Sequence, residues 1–119
     1  MLLPGLTTDL RVAREVYDFT VDEGGRILSD DNVGRPVAVP EVLTRWSQNR
    51  LAARQLLDYC AEERGWRWRL ERDGGLTIAT IWVDGWPYSH TASAEALAIC
   101  GAALAAAAAD TRAIHKQAA

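Results

Sequence analysis

Apolar residues recur at the spacing of one helix face in three stretches of the chain. The first stretch predicts a helix over residues 9–19. The second is rich in strong helix formers and is followed by Gly65, so it predicts a helix over residues 49–64. The third is rich in alanine and predicts a helix over residues 92–109, with a frayed tail over residues 110–119.

Between the second and third helices the hydrophobic period changes to that of a β-strand. Strands are expected over residues 66–71 and 76–83, joined by a tight turn at Gly74. One face of the first strand carries Trp66, Trp68 and Leu70, and the other carries Arg67, Arg69 and Glu71. Because the second strand has apolar residues on both faces, we expect helices or another subunit to cover both.

Residues 22–44 are polar and interrupted by proline and glycine, which predicts one long loop. The predicted fold class is therefore α+β, in the order helix, loop, helix, strand, strand, helix. An antiparallel hairpin, or a three-stranded sheet if one more strand joins it, would lie between helices in an α-β-α sandwich.

Length and composition limit the class of protein. A chain of 119 residues indicates a single domain whose core needs no metal or disulfide. The net charge is only −3, with an acidic segment over residues 9–41 and a basic segment over residues 42–72, so direct nucleic-acid binding is disfavoured. Two cysteines, no signal-peptide pattern and no long apolar run predict a soluble cytoplasmic protein without a membrane span.

Three segments carry a resemblance to a known family. They are residues 9–16 (DLRVAREV), the stretch from Ser47 through Ala52-Ala53 to Arg64-Gly65-Trp66, and residues 91–104 (TASAEALAICGAAL), the last being the most specific. Together they resemble the phage ABA-sandwich domain family, over residues 9–106.

The resemblance implies an α-β-α layering in a small protein of tailed phages or prophages, acting inside a bacterial host cell. The family supplies no established catalytic residues. The chain departs from it at Gly101, where the family usually has arginine, and over residues 22–44, which look longer or different.

Residues that could support catalysis or metal binding are not arranged for either. His90, His115, Cys60 and Cys100 lack the spacing of a metal site, and the acidic pairs are typical of solvated loops. The paired glycines at 24–25 and 74–75 are turns and not phosphate-binding loops. We therefore expect no cofactor, no metal and no enzymatic activity.

Arginine interleaved with aromatic residues is typical of a protein-interface hot spot, and also of surfaces that stack bases. The candidate binding surface comprises Trp46, Arg50, Arg54, Arg67, Arg69, Trp82, Trp86 and Tyr88. A candidate acidic surface, suited to mimicking a phosphate-bearing partner, comprises Asp18, Asp22, Glu23, Asp30 and Asp31. The alternative is that Trp66 and Trp68 form core while the arginines lie over Trp82.

The expected partner is a host protein or nucleoprotein complex. In the phage context that the resemblance implies, the expected role is inhibition of bacterial defence, of the anti-CRISPR type, by steric block or phosphate mimicry. Two other roles stay open: a module that sequesters a small molecule or nucleotide, and a structural prophage protein without catalytic activity. A homodimer is also open.

Overall fold

The computed structural model of this chain describes residues 2–30 and 34–118, and the side chains of these residues up to residue 110. Within them lie the helices α1 (Leu6–Glu15), α2 (Arg50–Arg64) and α3 (Glu95–Ala118), and a 3₁₀ turn at Glu41–Leu43. The strands are β1 (Thr20–Val21), β2 (Ile27–Asp30), β3 (Pro36–Ala38), β4 (Arg67–Asp73), β5 (Leu76–Val83) and β6 (Trp86–Ala92). The predicted α+β class is confirmed.

The larger sheet has the strand order β4-β5-β6, all antiparallel, so the three-stranded form of the prediction is confirmed. Both connections are two-residue turns with left-handed backbone, with φ of 57° and 85° at Gly74 and Gly75 and of 52° and 83° at Asp84 and Gly85. Such turns match the natural twist of a hairpin. The strand β6 was not predicted because Pro87 interrupts its pattern, and proline is tolerated there since β6 lies at the sheet edge.

Two strands of the smaller sheet, β2 and β3, lie in the region predicted as one long loop over residues 22–44, so that prediction was wrong. The remaining strand of this sheet, β1, lies just before that region. Its strands are two to four residues long, too short to show an alternating pattern. Asp22 shapes the turn between β1 and β2, since its Oδ1 accepts hydrogen bonds from the backbone N–H groups of Gly24 and Arg26 at 3.0 and 2.8 Å.

Helix α3 is the central layer of the molecule. It packs along β5 and β6 on one side, and α1 and α2 pack against it on the other. The core between these layers includes the fully buried side chains of Leu56, Ile81 and Ile99, and alanines of α3 allow the close approach. The expected cover on both faces of the sheet is therefore found on one face only, since among the described elements α3 alone packs broadly on it.

Helix ends follow the predicted signals in α2 but not elsewhere. The Asn49 side chain caps α2 by accepting a hydrogen bond from the Ala52 N–H at 3.1 Å, and Gly65 ends it in a left-handed conformation. Helix α1 ends at Glu15, before the predicted 19, because the chain turns at Asp18 with a φ of 62°. Helix α3 continues through residues 110–118, where a frayed tail was expected.

Among the described helices, none combines the length and the apolar character that a membrane span requires.

Candidate functional site

Trp46 is a core residue, and its prediction as part of a binding surface was wrong. Its side chain is 2% exposed, and its ring lies 4.9 Å from the ring of Tyr17, which in turn lies 4.2 Å from that of Tyr59. Burial raises the pKa of the Tyr17 hydroxyl well above its ordinary value. Trp46 therefore anchors the segment before α2 and is not available to a partner.

Arg50 and Arg54 are exposed but engaged within the molecule. Arg54 donates two hydrogen bonds to the Glu95 carboxylate, at 2.9 and 3.0 Å, and Arg50 lies 3.2 Å from the same carboxylate. The hydrogen bond from Arg54 lowers the pKa of Glu95. Glu95 also sits in the first turn of α3, where the helix dipole favours a negative charge. These arginines join α2 to α3.

The side of the larger sheet that α3 leaves uncovered is here called the outer face. Cross-strand pairing places on it Arg67, Arg69, Glu71 and Asp73 of β4, Leu76, Ile78, Thr80 and Trp82 of β5, and Pro87, Ser89 and Thr91 of β6. Alternate residues of β5, beginning with Thr77, are buried beneath α3. The outer face thus combines an aliphatic and aromatic strand with a charged neighbour.

Contacts on the outer face are exposed and mostly weak. The Arg67 guanidinium lies 5.4 Å from the ring centroid of Trp82, within reach of a cation–π interaction. Arg69 forms an exposed ion pair with Glu71 on the same strand. An exposed pair of this kind contributes about 0–1 kcal/mol, so these charges can exchange partners at little cost.

The end of the larger sheet at the Asp84-Gly85 turn presents aromatic rings on the other side, and is here called the aromatic end. It comprises Trp68, Trp86 and Tyr88, which cross-strand pairing places on the α3 side. Trp86 is 71% exposed, Trp68 is 40% exposed and Tyr88 is half-buried. Trp68 was not among the predicted surface residues, because its alternation with Trp66, which is buried, favoured a place in the core.

The acidic candidates do not form one uniform surface. Asp18, Glu23 and Asp30 are exposed, whereas Asp22 holds the turn before β2 and pairs with Arg26 at 3.1 Å. The hydrogen bond from the Arg26 backbone N–H lowers the pKa of Asp22. Asp31 lies outside the described residues.

Thiols and histidines offer little chemistry in the described part of the chain. Cys60 and Cys100 are buried and free, and desolvation raises the pKa of both, to about 12 for Cys60. The described residues contain no group of three potential metal ligands. The His90 ring instead packs against Gly101 of α3, at the position that a Cβ would occupy. His115 lies where side chains are not described.

Asp9 and Arg64 form structural hydrogen bonds that the sequence did not predict. Asp9 is buried, and its carboxylate accepts hydrogen bonds from the Ser47 backbone N–H at 2.8 Å and from the Gln48 amide at 3.1 Å. Arg64 donates to the Val16 carbonyl at 2.7 Å and to Asp110 at 3.0 Å. Both join segments that are distant in sequence, and no local pattern marks such a pairing.

Three of the surface clefts among the described residues have volumes of about 410–450 Å³. One lies along residues 2–11, and one lies between Arg11, His90 and α3. The third is lined by Leu6, by residues 25–27 and 38–41, and by Thr44. None of these three is lined by a tryptophan, so they do not match the pocket of tryptophan and arginine that nucleotide sequestration would use.

Comparison with known proteins places the fold alongside a phage protein. No protein-family profile matches the chain, and no curated protein sequence matches it. The fold is similar to that of a phage protein from Bacillus cereus, whose crystal structure was determined at 2.0 Å. The TM-score is 0.64 at 17% sequence identity, over 89% of this chain and 93% of that one. This chain thus shares the fold of a phage protein across most of its length.

Proposed function

We propose that this protein is a phage or prophage accessory protein that acts without catalysis, by binding a host protein through its aromatic end. The observation that carries the proposal is the exposure of Trp86, which projects beside a tight turn at the end of a sheet. Rigid aromatic side chains lose little conformational entropy on binding, and tryptophan is among the residues most enriched in interface hot spots. The fold shared with a phage protein supports the phage setting.

A protein partner is favoured over nucleic acid because much of the arginine charge is neutralised internally. Arg50 and Arg54 are paired with Glu95, Arg45 is paired with Glu41, and Arg64 is paired with Asp110. A nucleic-acid surface needs cations free to replace the counterions of phosphates. The net charge of −3 acts in the same direction.

The more specific part of the proposal is that the partner belongs to a bacterial defence system, of the kind that anti-CRISPR proteins block. Occluding a nucleoprotein effector requires a complementary surface and no chemistry, which agrees with buried, high-pKa thiols and the lack of a metal-ligand group among the described residues. The exposed acids Asp18, Glu23 and Asp30 would add electrostatic complementarity to a basic partner surface.

The test compares three forms of the tagged protein in a bacterial host with an active CRISPR system: wild type, Trp86→Ala, and Leu51→Ala as the control. Leu51 is 70% exposed on α2 and is not part of the aromatic end, so its loss removes an exposed apolar group from a different element. We measure phage plating efficiency and the affinity for each purified effector component. Trp86→Ala should weaken binding about 30-fold, as loss of about 2 kcal/mol at a hot spot implies, while Leu51→Ala stays near wild type.

Unchanged binding with Trp86→Ala would refute the aromatic end as the docking surface. Wild-type protein that neither protects phage nor binds any effector component would refute the defence role.

A further inference from the structure

We propose that the outer face is a homodimer interface, in which two copies stack face to face. They are related by a two-fold axis that runs across the strands and lies midway between the two sheets, parallel to both. The proposal rests on the order of side chains along β4 and β5 and goes beyond the role of the aromatic end. It names a second copy of this chain as the occupant of the sheet face that none of the described helices covers.

The outer face consists of four cross-strand rows, given by the register of the sheet. The rows contain Arg67, Trp82 and Pro87; Arg69, Thr80 and Ser89; Glu71, Ile78 and Thr91; and Asp73 with Leu76. The two cationic rows lie at one end of β4, and the two anionic rows lie at the other end.

A two-fold rotation about an axis across the strands reverses the order of these rows while keeping each strand over its own copy. The first row then meets the fourth, so that Arg67 faces Asp73 of the other copy. The second row meets the third, so that Arg69 faces Glu71 of the other copy. Every charge that β4 places on the outer face thus meets an opposite charge, so the face is self-complementary, as an isologous interface requires.

The apolar strand is self-complementary under the same rotation. Trp82 meets Leu76 of the other copy, and Ile78 meets the methyl-bearing Thr80. Leu76 is 44% exposed, and Ile78 and Trp82 are half-buried, so each has apolar surface left to bury. Aligned packing of two sheets at a spacing of about 10 Å accommodates such pairs.

The area of the outer face limits the expected affinity of the homodimer. Three strands about 4.8 Å apart and about seven residues long span roughly 14 by 23 Å. This face is smaller than that of a standard interface, which buries about 800 Å² on each partner. The dimer is therefore weak and concentration-dependent. Its geometry leaves the two aromatic ends at opposite ends of the assembly.

The experiment uses sedimentation velocity and native mass spectrometry of the full chain over a concentration series. The single variants Arg69→Glu and Glu71→Arg place like charges in contact across the two-fold axis, and each does so twice. We expect each to weaken dimerisation by about tenfold or more relative to wild type, which forms a species of twice 13.1 kDa. Circular dichroism confirms that each variant is folded.

Mixing the two single variants provides the discriminating step. One chain then carries glutamate at both positions and the other carries arginine at both, so only a contact between chains can pair them. The mixture should form a heterodimer at wild-type strength or above, although each chain lacks its own Arg69–Glu71 pair. The double variant with the two charges exchanged should form a homodimer again.

A wild-type chain that is monomeric at its highest soluble concentration overturns this proposal. So does a dimer that both single variants leave intact, or a mixture that fails to associate. These outcomes leave the Trp86 experiment untouched, because Trp86 lies outside the rows of the outer face.

Discussion

The contact between Gly101 of α3 and the His90 ring of β6 predicts a reversal in the effect of one substitution. A Cβ on Gly101 would overlap the ring carbons Cγ and Cδ2 of His90 and would lie 2.6 Å from Nδ1. Because Cγ joins the ring to the rest of the His90 side chain, it cannot move away unless the whole imidazole rotates. Gly101→Ala therefore forces His90 out of its position between the sheet and the helix.

Two effects of opposite sign determine how much Gly101→Ala changes the stability of the protein. Alanine in a helix interior is about 1 kcal/mol more favourable than glycine, whereas overpacking a core contact costs about 1–3 kcal/mol. In the wild-type background Gly101→Ala should therefore reduce stability by about 1 kcal/mol, or about 4 °C in Tm for a chain of this size. In a His90→Ala background the ring is absent, and the same substitution should increase stability by up to about 1 kcal/mol.

Urea and thermal unfolding of the four proteins in this double-mutant cycle give the coupling energy, which should be about 2 kcal/mol. The control cycle replaces His90→Ala by Thr91→Ala. Thr91 follows His90 but lies on the outer face, so its coupling to Gly101 should be near zero. If Gly101→Ala stabilises the wild type by its full helix propensity, and the coupling with His90 is also near zero, the packing described between β6 and α3 is refuted.

Three further outcomes follow from buried or paired groups. Asp9→Ala should cost about 2–3 kcal/mol, measured by urea unfolding, because it leaves the buried Ser47 N–H without its charged acceptor. Cys60 should resist iodoacetamide in the native state and react on unfolding. Because its folded pKa, raised by burial to about 12, exceeds its unfolded value of about 8.5, its contribution to stability should be intact below about pH 8.5 and lost as the pH rises towards 12. Glu95→Gln should cost about 1 kcal/mol. Since Arg54 lowers the folded pKa of Glu95, the wild-type advantage over this variant should be present above about pH 4.3 and disappear as the pH falls through the folded pKa.

Two of these outcomes have a matched control variant, and each has a result that would contradict it. Asp58→Ala removes an exposed carboxylate from α2 and should change stability by less than about 0.5 kcal/mol, so an equal loss for Asp9→Ala and Asp58→Ala would contradict the buried hydrogen bonds. Rapid native alkylation of Cys60 would contradict its burial. Glu62→Gln removes an exposed carboxylate from α2 and should change stability by less than about 0.5 kcal/mol. An acid limb of the stability curve that Glu95→Gln does not alter would contradict the ion pairs of Glu95.

The secondary-structure elements that the sequence predicted correctly are those that depend on residues close together in the chain. Helix α2 has strong helix formers, a capping Asn49 and a terminal Gly65, and all three act within a few residues of one another. The hairpin of β4 and β5 follows from the strict alternation of β4 and from the Gly74-Gly75 turn, so its faces and register were predictable. The strands of the smaller sheet are too short for periodicity to show, and Pro87 masks β6.

The same limit applies to the candidate binding residues. Trp46 and Trp86 were both predicted to lie on a binding surface, yet Trp46 is buried against Tyr17 and Trp86 is 71% exposed. The sequence did not indicate that Arg54 is paired, because its partner Glu95 lies 41 residues further along the chain.

The amino-acid sequence by itself determined the α+β class, the helix α2 and the faces of the central hairpin, because backbone propensity and hydrophobic periodicity act between near neighbours. Only the tertiary structure decided which face of the sheet α3 covers, which tryptophan lies in the core and which arginines are paired. Those outcomes depend on contacts between segments far apart in the chain, because the apolar area that each residue buries is set by these tertiary contacts.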